Sequence, residues 1–369
     1  MIVPRVSVVI PVHNLGAYLP EAIDSVLAQT LPSDQVEVIV VDDGSTDDSA
    51  AVARRYVPRV RLLEQPNRGV SAARNAGIRE ARGTFLAFLD ADDRIRPGKL
   101  AAELAAFAAA PDRGVAYSGW RCIDEAGADL PEQGVPRQEG ALLSQLALGN
   151  LVHPHAPLVR RDAVMGVGGF DESLSPAADR DLWLRLTRAG LTWIPVGLPL
   201  AEYRIRADAM HKDVGRMQVD CLRVLDKLFD DPTLPADVVA LRPQAYQNVH
   251  LRTACECYRQ GRREAGSAAF RAAAELRPAT LTEARSLRRL YPLLLPEGQR
   301  TGAAVLQHRT SLAVLLAEML RDLYASPDLD ERIAGLRWRS RIAQARARAH
   351  FLRRRAAAAV ETAAGSHSR

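Results

Sequence analysis

The chain of 369 residues contains no run approaching 18 consecutive apolar side chains, so no part of it is expected to span a membrane as a helix. Its N-terminus lacks the basic, apolar and small-residue sections of a secretory signal, and the expected compartment is the cytosol. Cysteine is sparse. Of Cys122, Cys221, Cys255 and Cys257 only the last two are close, at a spacing that fits no structural zinc pattern. Reduced, buried thiols are expected and disulfides are not. No Gly-x-x-x-x-Gly-Lys-Ser/Thr loop is present, which removes the phosphate-cradling lysine that a nucleotidyl- or phosphoryl-transferring enzyme would ordinarily show.

What is present describes an ordinary globular protein with room for two domains: 47% of residues are hydrophobic and 25% charged. The net charge of +5 is unevenly placed, since residues 331–355 hold nine arginines against the single acid Glu331. That basic tail reads equally as a solvated helix face, as a surface for packing or self-association, or as a peripheral contact with the inner face of a membrane, with Trp338 and Phe351 as anchors. No zinc knuckle, helix-turn-helix or aromatic stacking platform accompanies it, and nucleic acid is not an expected partner. Past Glu361 the Ala-, Gly- and Ser-rich end is expected to fray.

Residues 5–12 and 36–41 are β-branched runs too continuous for a one-sided sheet, and read as strands buried on both faces. Between them Leu19, Ile23, Val26 and Leu27 mark an amphipathic helix over 19–29, completing a βαβ unit. The alternation continues with a helix near 48–56, a strand at 60–63, a helix over 71–81 and strands at 84–89 and 114–118. This predicts a mostly parallel, doubly wound α/β sheet. From about residue 215 Ala, Leu and Arg dominate and strand signals vanish, so an all-helical region follows. Within it, 245–278 resembles one tetratricopeptide-like hairpin turning near Gly261.

Four clusters fall where loops should leave the carboxyl ends of strands, the usual ligand side of an open α/β sheet. Pro11-Val12-His13-Asn14 follows the first strand and, taken alone, reads as a proline that stops a strand and an asparagine that starts a helix. Asp42-Asp43-Gly44-Ser45-Thr46-Asp47 ends the second strand, where one acid suits a base or ribose while Asp-Gly is also common turn chemistry. Asn67 to Gly77 leads into a helix whose first turn carries Arg74 and Asn75, placing amides and a guanidinium where an anion or nucleotide would fit, or simply capping a helix at Ser71. Leu89-Asp90-Ala91-Asp92-Asp93 crowds three acids into four positions, which is costly unless solvent or a cation relieves it. Magnesium-like ions take one or two such carboxylates together with substrate phosphates.

In this order the clusters resemble the family 2 glycosyltransferases, from Val6 to about Arg206. The resemblance implies a nucleotide-diphospho-sugar transferase fold of the GT-A kind and inverting transfer of a sugar from a nucleoside diphosphate. It places Pro11 and Asp43 around the nucleotide base, Asn14 and Arg74 at the nucleotide site, and Asp90 and Asp92 as the DXD pair. Asp92 is the metal ligand and Asp90 turns toward ribose or the metal's water. Magnesium or manganese is the implied cofactor, and His211 a further candidate ligand. Gly168-Gly169-Phe170-Asp171-Glu172 and Asp179-Arg180-Asp181 resemble the acceptor-side segment. There the usual Glu-Asp pair stands as Ala178-Asp179, leaving Asp179 as the base that takes the acceptor's proton. Asp179 is also suited to cap its helix, with Asp181 as the other candidate base. His153, His155 and Trp120 read either as acceptor-groove or as packing residues. The implied donor is a UDP-sugar, with guanosine and thymidine donors open. The implied acceptor is a glycan or lipid-linked hydroxyl in cell-surface polysaccharide synthesis. A catalytically degenerate binding or scaffold protein is the alternative, kept open by Ala178 and the hairpin. The expected organisation is a catalytic domain over 1–212, a helical domain over 213–325 and an arginine-rich tail over 326–369.

Overall fold

The structure is a computed structural model and describes residues 3–209, 212–278 and 284–325. These fall into two compact units. One runs to Arg242 and includes Glu297–Gln299; the other comprises Pro243–Pro296 and the described residues from Arg300.

The first unit begins as the sequence pattern predicts, with β1 (Val6–Val12), α1 (Leu19–Leu27), β2 (Val36–Asp43), α2 (Ser49–Arg54), β3 (Arg61–Gln65), α3 (Val70–Glu80) and β4 (Phe85–Phe88). These four strands are parallel, in the order β3-β2-β1-β4. Every residue of β1 is buried. Val6, Val8 and Ile10 share a core with Leu19, Ile23 and Val26 of α1. On the opposite face Val9 meets α3 so closely that a Cβ on Gly77 would lie 2.3 Å from Val9 Cγ1, which is why α3 carries a glycine there. Pro11 does not stop its strand: β1 continues to Val12, opposite Asp42. Pairing with β4 ends at Val9, so the missing N–H of Pro11 falls where β4 has already left the sheet.

Beyond β4 follow β5 (Arg94–Ile95), α4 (Lys99–Ala109), β6 (Val115–Ile123), β7 (Asp129–Gly134), α5 (Leu143–Leu148), β8 (Pro157–Arg160), α6 (Arg161–Gly166), α7 (Ala178–Arg188) and β9 (Trp193–Arg204). The sheet is more mixed than its first half. β8 inserts antiparallel between β4 and β6, β9 runs parallel to β6, and β5 and β7 are antiparallel edges. The main strands keep one direction because α4 carries the chain across the sheet, and β8 fills the gap from the other side.

A buried ion pair lies on α4, where Lys99 Nζ donates to both carboxylate oxygens of Glu103 at 2.8 Å and neither side chain reaches solvent. Burial pushes the Glu103 carboxyl up to about 7 despite the lysine. Lys99→Met, which leaves Glu103 without its cation and with Ser118 as its remaining hydrogen-bond partner, is expected to cost about 3–5 kcal/mol in urea unfolding, and Lys99→Met/Glu103→Leu to recover most of it. A single variant as stable as wild type would mean the pair contributes nothing.

The helices α8 (Val214–Phe229) and α9 (Ala236–Val239) belong to this first unit although composition changes before them. Lys227 of α8 reaches Asp171 at 2.7 Å and Asp181 at 2.6 Å, and Asp220 accepts from the Ser175 amide at 3.0 Å.

The second unit opens with α10 (Arg242–Arg259) and α11 (Arg263–Leu276), joined where Gly261 adopts φ +74°. After α12 (Ala284–Arg288), α13 (Tyr291–Leu294) and α14 (Gly302–Gln307) comes α15 (Arg309–Tyr324). The hairpin's apolar face is covered by different helices, α13 and α15, rather than by a second copy of itself. Phe270, Ala273 and Cys255 share a core with Leu294, Met319 and Leu323. None of the four cysteines is in a disulfide; three are buried and Cys221 is half-buried, and burial pushes the Cys255 thiol up to about 12. Among the described residues no helix is long and apolar enough to cross a membrane. The arginine-rich tail with Trp338 and Phe351 lies outside the described residues.

Candidate active site

The acidic cluster turns off the end of β4, with the Asp93 amide donating to the Asp90 carbonyl at 3.0 Å. Its three carboxylates are not equivalent. Asp90 and Asp92 are half-buried, whereas Asp93 is 2% exposed. Asp93 Oδ1 accepts from the Arg204 amide at 2.8 Å, and its Oδ2 lies 2.9 Å from Nδ1 of the fully buried His155. Burial pushes His155 down to about 4, so at neutral pH it is uncharged. Asp90 pairs with Arg74, and Asp92 Oδ2 accepts from Arg206 at 2.8 Å. Asp92 is nevertheless pushed up to about 7, first by burial and then by the charges of Asp93 and Asp90, which together outweigh Arg206.

That imbalance is the test of whether these residues suit a cation. Among the described residues no three His, Cys, Asp or Glu side chains close a metal cage. A strained carboxylate beside a second one fits an ion that takes one or two carboxylates and completes its shell with phosphate and water. His211 lies outside the described residues.

Arg74 reaches Asp90 from α3, its guanidinium 5.1 Å above the ring of Phe170. The neighbouring Asn75 holds that ring's segment by a two-way clasp, accepting from the Phe170 amide at 2.8 Å and donating to its carbonyl at 2.9 Å. Gly169, at φ +71°, is required for the approach, because its Cβ would lie 2.6 Å from Asn75 Oδ1. The Ala73–Gly77 and Gly168–Glu172 motifs, distant in sequence, are therefore one structure.

Asp43 is 3% exposed and accepts from the Arg68 amide at 2.9 Å, the Gly69 amide at 2.8 Å and Gln65 Nε2 at 2.7 Å. These use three of roughly four acceptor positions on a carboxylate, leaving one. His13 Nδ1 donates to the Asp43 carbonyl at 2.9 Å and its Nε2 accepts from Asn67 at 3.1 Å. Asn14, in the left-handed region at φ 55°, accepts from the Thr46 amide at 2.7 Å. It staples two loops and starts no helix, since α1 begins at Leu19. Pro11 lies buried within β1 beneath this loop pair.

Asp179 lies in the first turn of α7 and is 7% exposed. It accepts from Asn150 at 2.7 Å and from the Arg180 amide at 2.8 Å, while the N-cap position belongs to Ala177. Burial raises its pKa against those hydrogen bonds, and the charges of Arg74 and Asp90 act on it in opposite directions. Asp181 is 2% exposed and paired with Arg185 at 2.7 Å and Lys227 at 2.6 Å, one cation on each carboxylate oxygen.

Residues 7–167 match the family model described as glycosyl transferase family 2. An uncharacterized glycosyltransferase of Rickettsia prowazekii is 33% identical over 190 residues, covering 50% of this chain and 59% of that protein. The chain thus carries, over residues 7–167, a segment similar to the family 2 glycosyltransferases. It spans less than two thirds of that curated relative's length. Among solved structures, Staphylococcus aureus TarS 1-349 in complex with UDP-GlcNAc superposes at a TM-score of 0.55 with 16% identity, over 87% of this chain and 93% of that one. The mannosyltransferase PcManGT of Pyrobaculum calidifontis, with GDP-Man and Mn2+, gives 0.54 with 20% identity over 88% of each. The fold is thus that of GT-A glycosyltransferases, followed by helices.

The family 2 match ends before Asp179, Arg204 and Arg206. Three participants of this domain's site had no motif to announce them. Asn150, which holds Asp179, follows a short helix and glycine. Arg206, which pairs with Asp92, and Arg204 stand at the edge of the recognisable segment. His155 sits under Asp93, and its partner His153 stacks on Tyr203 at 4.3 Å with Trp120 edge-on at 4.8 Å. Of these rings His155 alone is fully buried, so it packs and does not line a groove.

Proposed function

We propose that the first unit is an inverting glycosyltransferase, moving a sugar from a nucleoside-diphosphate sugar to a hydroxyl of a glycan or lipid-linked acceptor in cell-surface glycan synthesis. The observation that carries this is the division of the carboxylates: Asp90 and Asp92 stand half-buried at the end of β4, paired with Arg74 and Arg206, while Asp179 is a separate buried carboxylate held by Asn150 and acted on by the charges of Asp90 and Arg74. The first group suits the diphosphate end of a donor, and the second suits an acceptor. UDP-GlcNAc and GDP-Man in the neighbouring folds support a nucleotide-sugar donor, with UDP favoured.

In this reading Pro11, Asn14 and Asp43 border the base, Asp43 offering its remaining acceptor position. Asp92, with Asp90 and His211, holds magnesium or manganese, which neutralises charge on the leaving diphosphate. Arg74 adds a fixed guanidinium on the same side. Asp179 takes the proton as the acceptor hydroxyl attacks the anomeric carbon from the face opposite the diphosphate. Its raised proton affinity suits that task, and Asn150 fixes the carboxylate's direction. The C–O bond to the sugar forms as the sugar–phosphate bond breaks, and the diphosphate leaves with the electron pair.

The test is thermal unfolding against nucleoside diphosphates and nucleotide sugars, each with and without Mn2+, since a ligand of the folded state raises the midpoint. A rise requiring both one nucleotide and Mn2+ is expected. No rise with any pair at saturation would sink the reading.

The pH dependence carries a definite sign. Below about 7 Asp92 holds a proton that metal ligation must expel. Affinity for the Mn2+–nucleotide pair is therefore expected to fall about tenfold per pH unit below that point and to level off above it. Titration calorimetry between pH 5.5 and 8 reads this, and a flat profile would remove Asp92 from the ligand set.

A further inference from the structure

We infer that Arg204 is a positioning residue for the acidic loop, aiming the Asp92 carboxylate by holding the backbone behind it; the inference rests on the donor-site reading above. Arg204 is the last residue of β9, and its guanidinium has no exposure at all. Nε donates to the Asp92 carbonyl at 2.7 Å, and Nη1 to the carbonyls of Glu125 at 2.9 Å and Asp124 at 3.2 Å. Nη2 donates to Glu21 at 2.8 Å, and the residue's own amide donates to Asp93 Oδ1. The ring of Tyr18 lies 5.1 Å from the guanidinium carbon.

One side chain thus binds the acidic loop, the β6–β7 turn and the first turn of α1. None of these contacts reaches the outward face of Asp92, where a metal or phosphate would lie. The loop is thus gripped at Asp92's carbonyl and at Oδ1 of the next residue, with the buried His155 packed against the other oxygen of Asp93. The planar fork matters as much as the charge, because only a guanidinium spans several carbonyls and a carboxylate in fixed directions. A carboxylate that must meet a metal with small tolerance depends on such backing.

The test uses the full chain and Mn2+ with UDP as the probe. Arg204→Lys keeps the charge and the Glu21 pairing but loses the fork. Its half-saturating Mn2+ concentration, followed by manganese electron paramagnetic resonance at fixed UDP, is expected to rise about 10- to 100-fold and to be overcome by excess Mn2+. A role limited to charge or stability would leave that concentration unmoved in a folded lysine variant. Glu21→Gln, which weakens the bond to one arm of the guanidinium by removing the carboxylate charge, is expected to move it in the same direction by a smaller factor and serves where Arg204→Lys does not fold. Wild-type affinity for Mn2+ in a folded Arg204→Lys, or in Glu21→Gln if that alone folds, overturns the inference and leaves the donor site standing. A wild-type protein that binds Mn2+ with neither UDP nor GDP overturns both.

Discussion

Asp92→Ala is expected to erase the Mn2+-dependent part of nucleotide binding. At a ligand concentration of 100 times Kd, wild-type protein gains about 2.7 kcal/mol from a ligand confined to the folded state, and the variant should gain none of it. The unliganded protein should respond in the opposite direction. The Asp92 carboxyl has a folded pKa of about 7 against an ordinary value of 3.8, so the native state holds a proton that the unfolded chain releases across that interval. Native stability is therefore lost as pH rises from the lower value to the higher. Asp92→Asn, neutral throughout, is expected to unfold at a higher temperature than wild type in chelator at pH 8, with the advantage shrinking toward pH 4. A variant that is weaker in binding and firmer in fold is the signature of a carboxylate kept for its ligand. If the variant lost both, Asp92 would be a structural residue whose pairing with Arg206 outweighs the crowding.

Asp179→Asn should divide binding from turnover in the other way. Asparagine keeps one oxygen for the Arg180 amide, and the Asn150 amide can turn over to accept from the new Nδ2, so α7 should hold and the donor should bind as before. What disappears is a group able to take a proton, and kcat is expected to fall by about 10²–10⁴ with little change in donor KM. Asp181→Asn is the contrast: its bonds to Arg185 and Lys227 make it a stability position, and its effect should appear in unfolding rather than in kcat. Undiminished turnover by Asp179→Asn in steady-state sugar transfer would remove it as the base.

The order of elements through β4 was legible because β1, β2 and β4 are buried on both faces and α1 between the first two is amphipathic, both local properties of the chain. β8 escaped notice for the same reason inverted. Pro157–Arg160 is only four residues long, with no alternation, and becomes a strand because β4 and β6 flank it. Asn14 was legible as a special position but not in its role, since its left-handed backbone and its bond to Thr46 depend on a loop more than thirty residues away.

The sequence alone determined that carboxylates, amides and arginines gather at the carboxyl ends of parallel strands, because turn chemistry and hydrophobic period are written locally. It could not separate Asp90, Asp92 and Asp93, which are chemically alike and adjacent. Tertiary structure decided that, by bringing Arg74 to the first from 16 residues away, Arg206 to the second from 114, and the Arg204 amide to the third from 111. The physical reason is that a carboxylate's task follows from its surroundings: the same side chain is anchored where it is buried against an amide and a neutral histidine, and is available where burial and like charge leave its negative form in need of a cation.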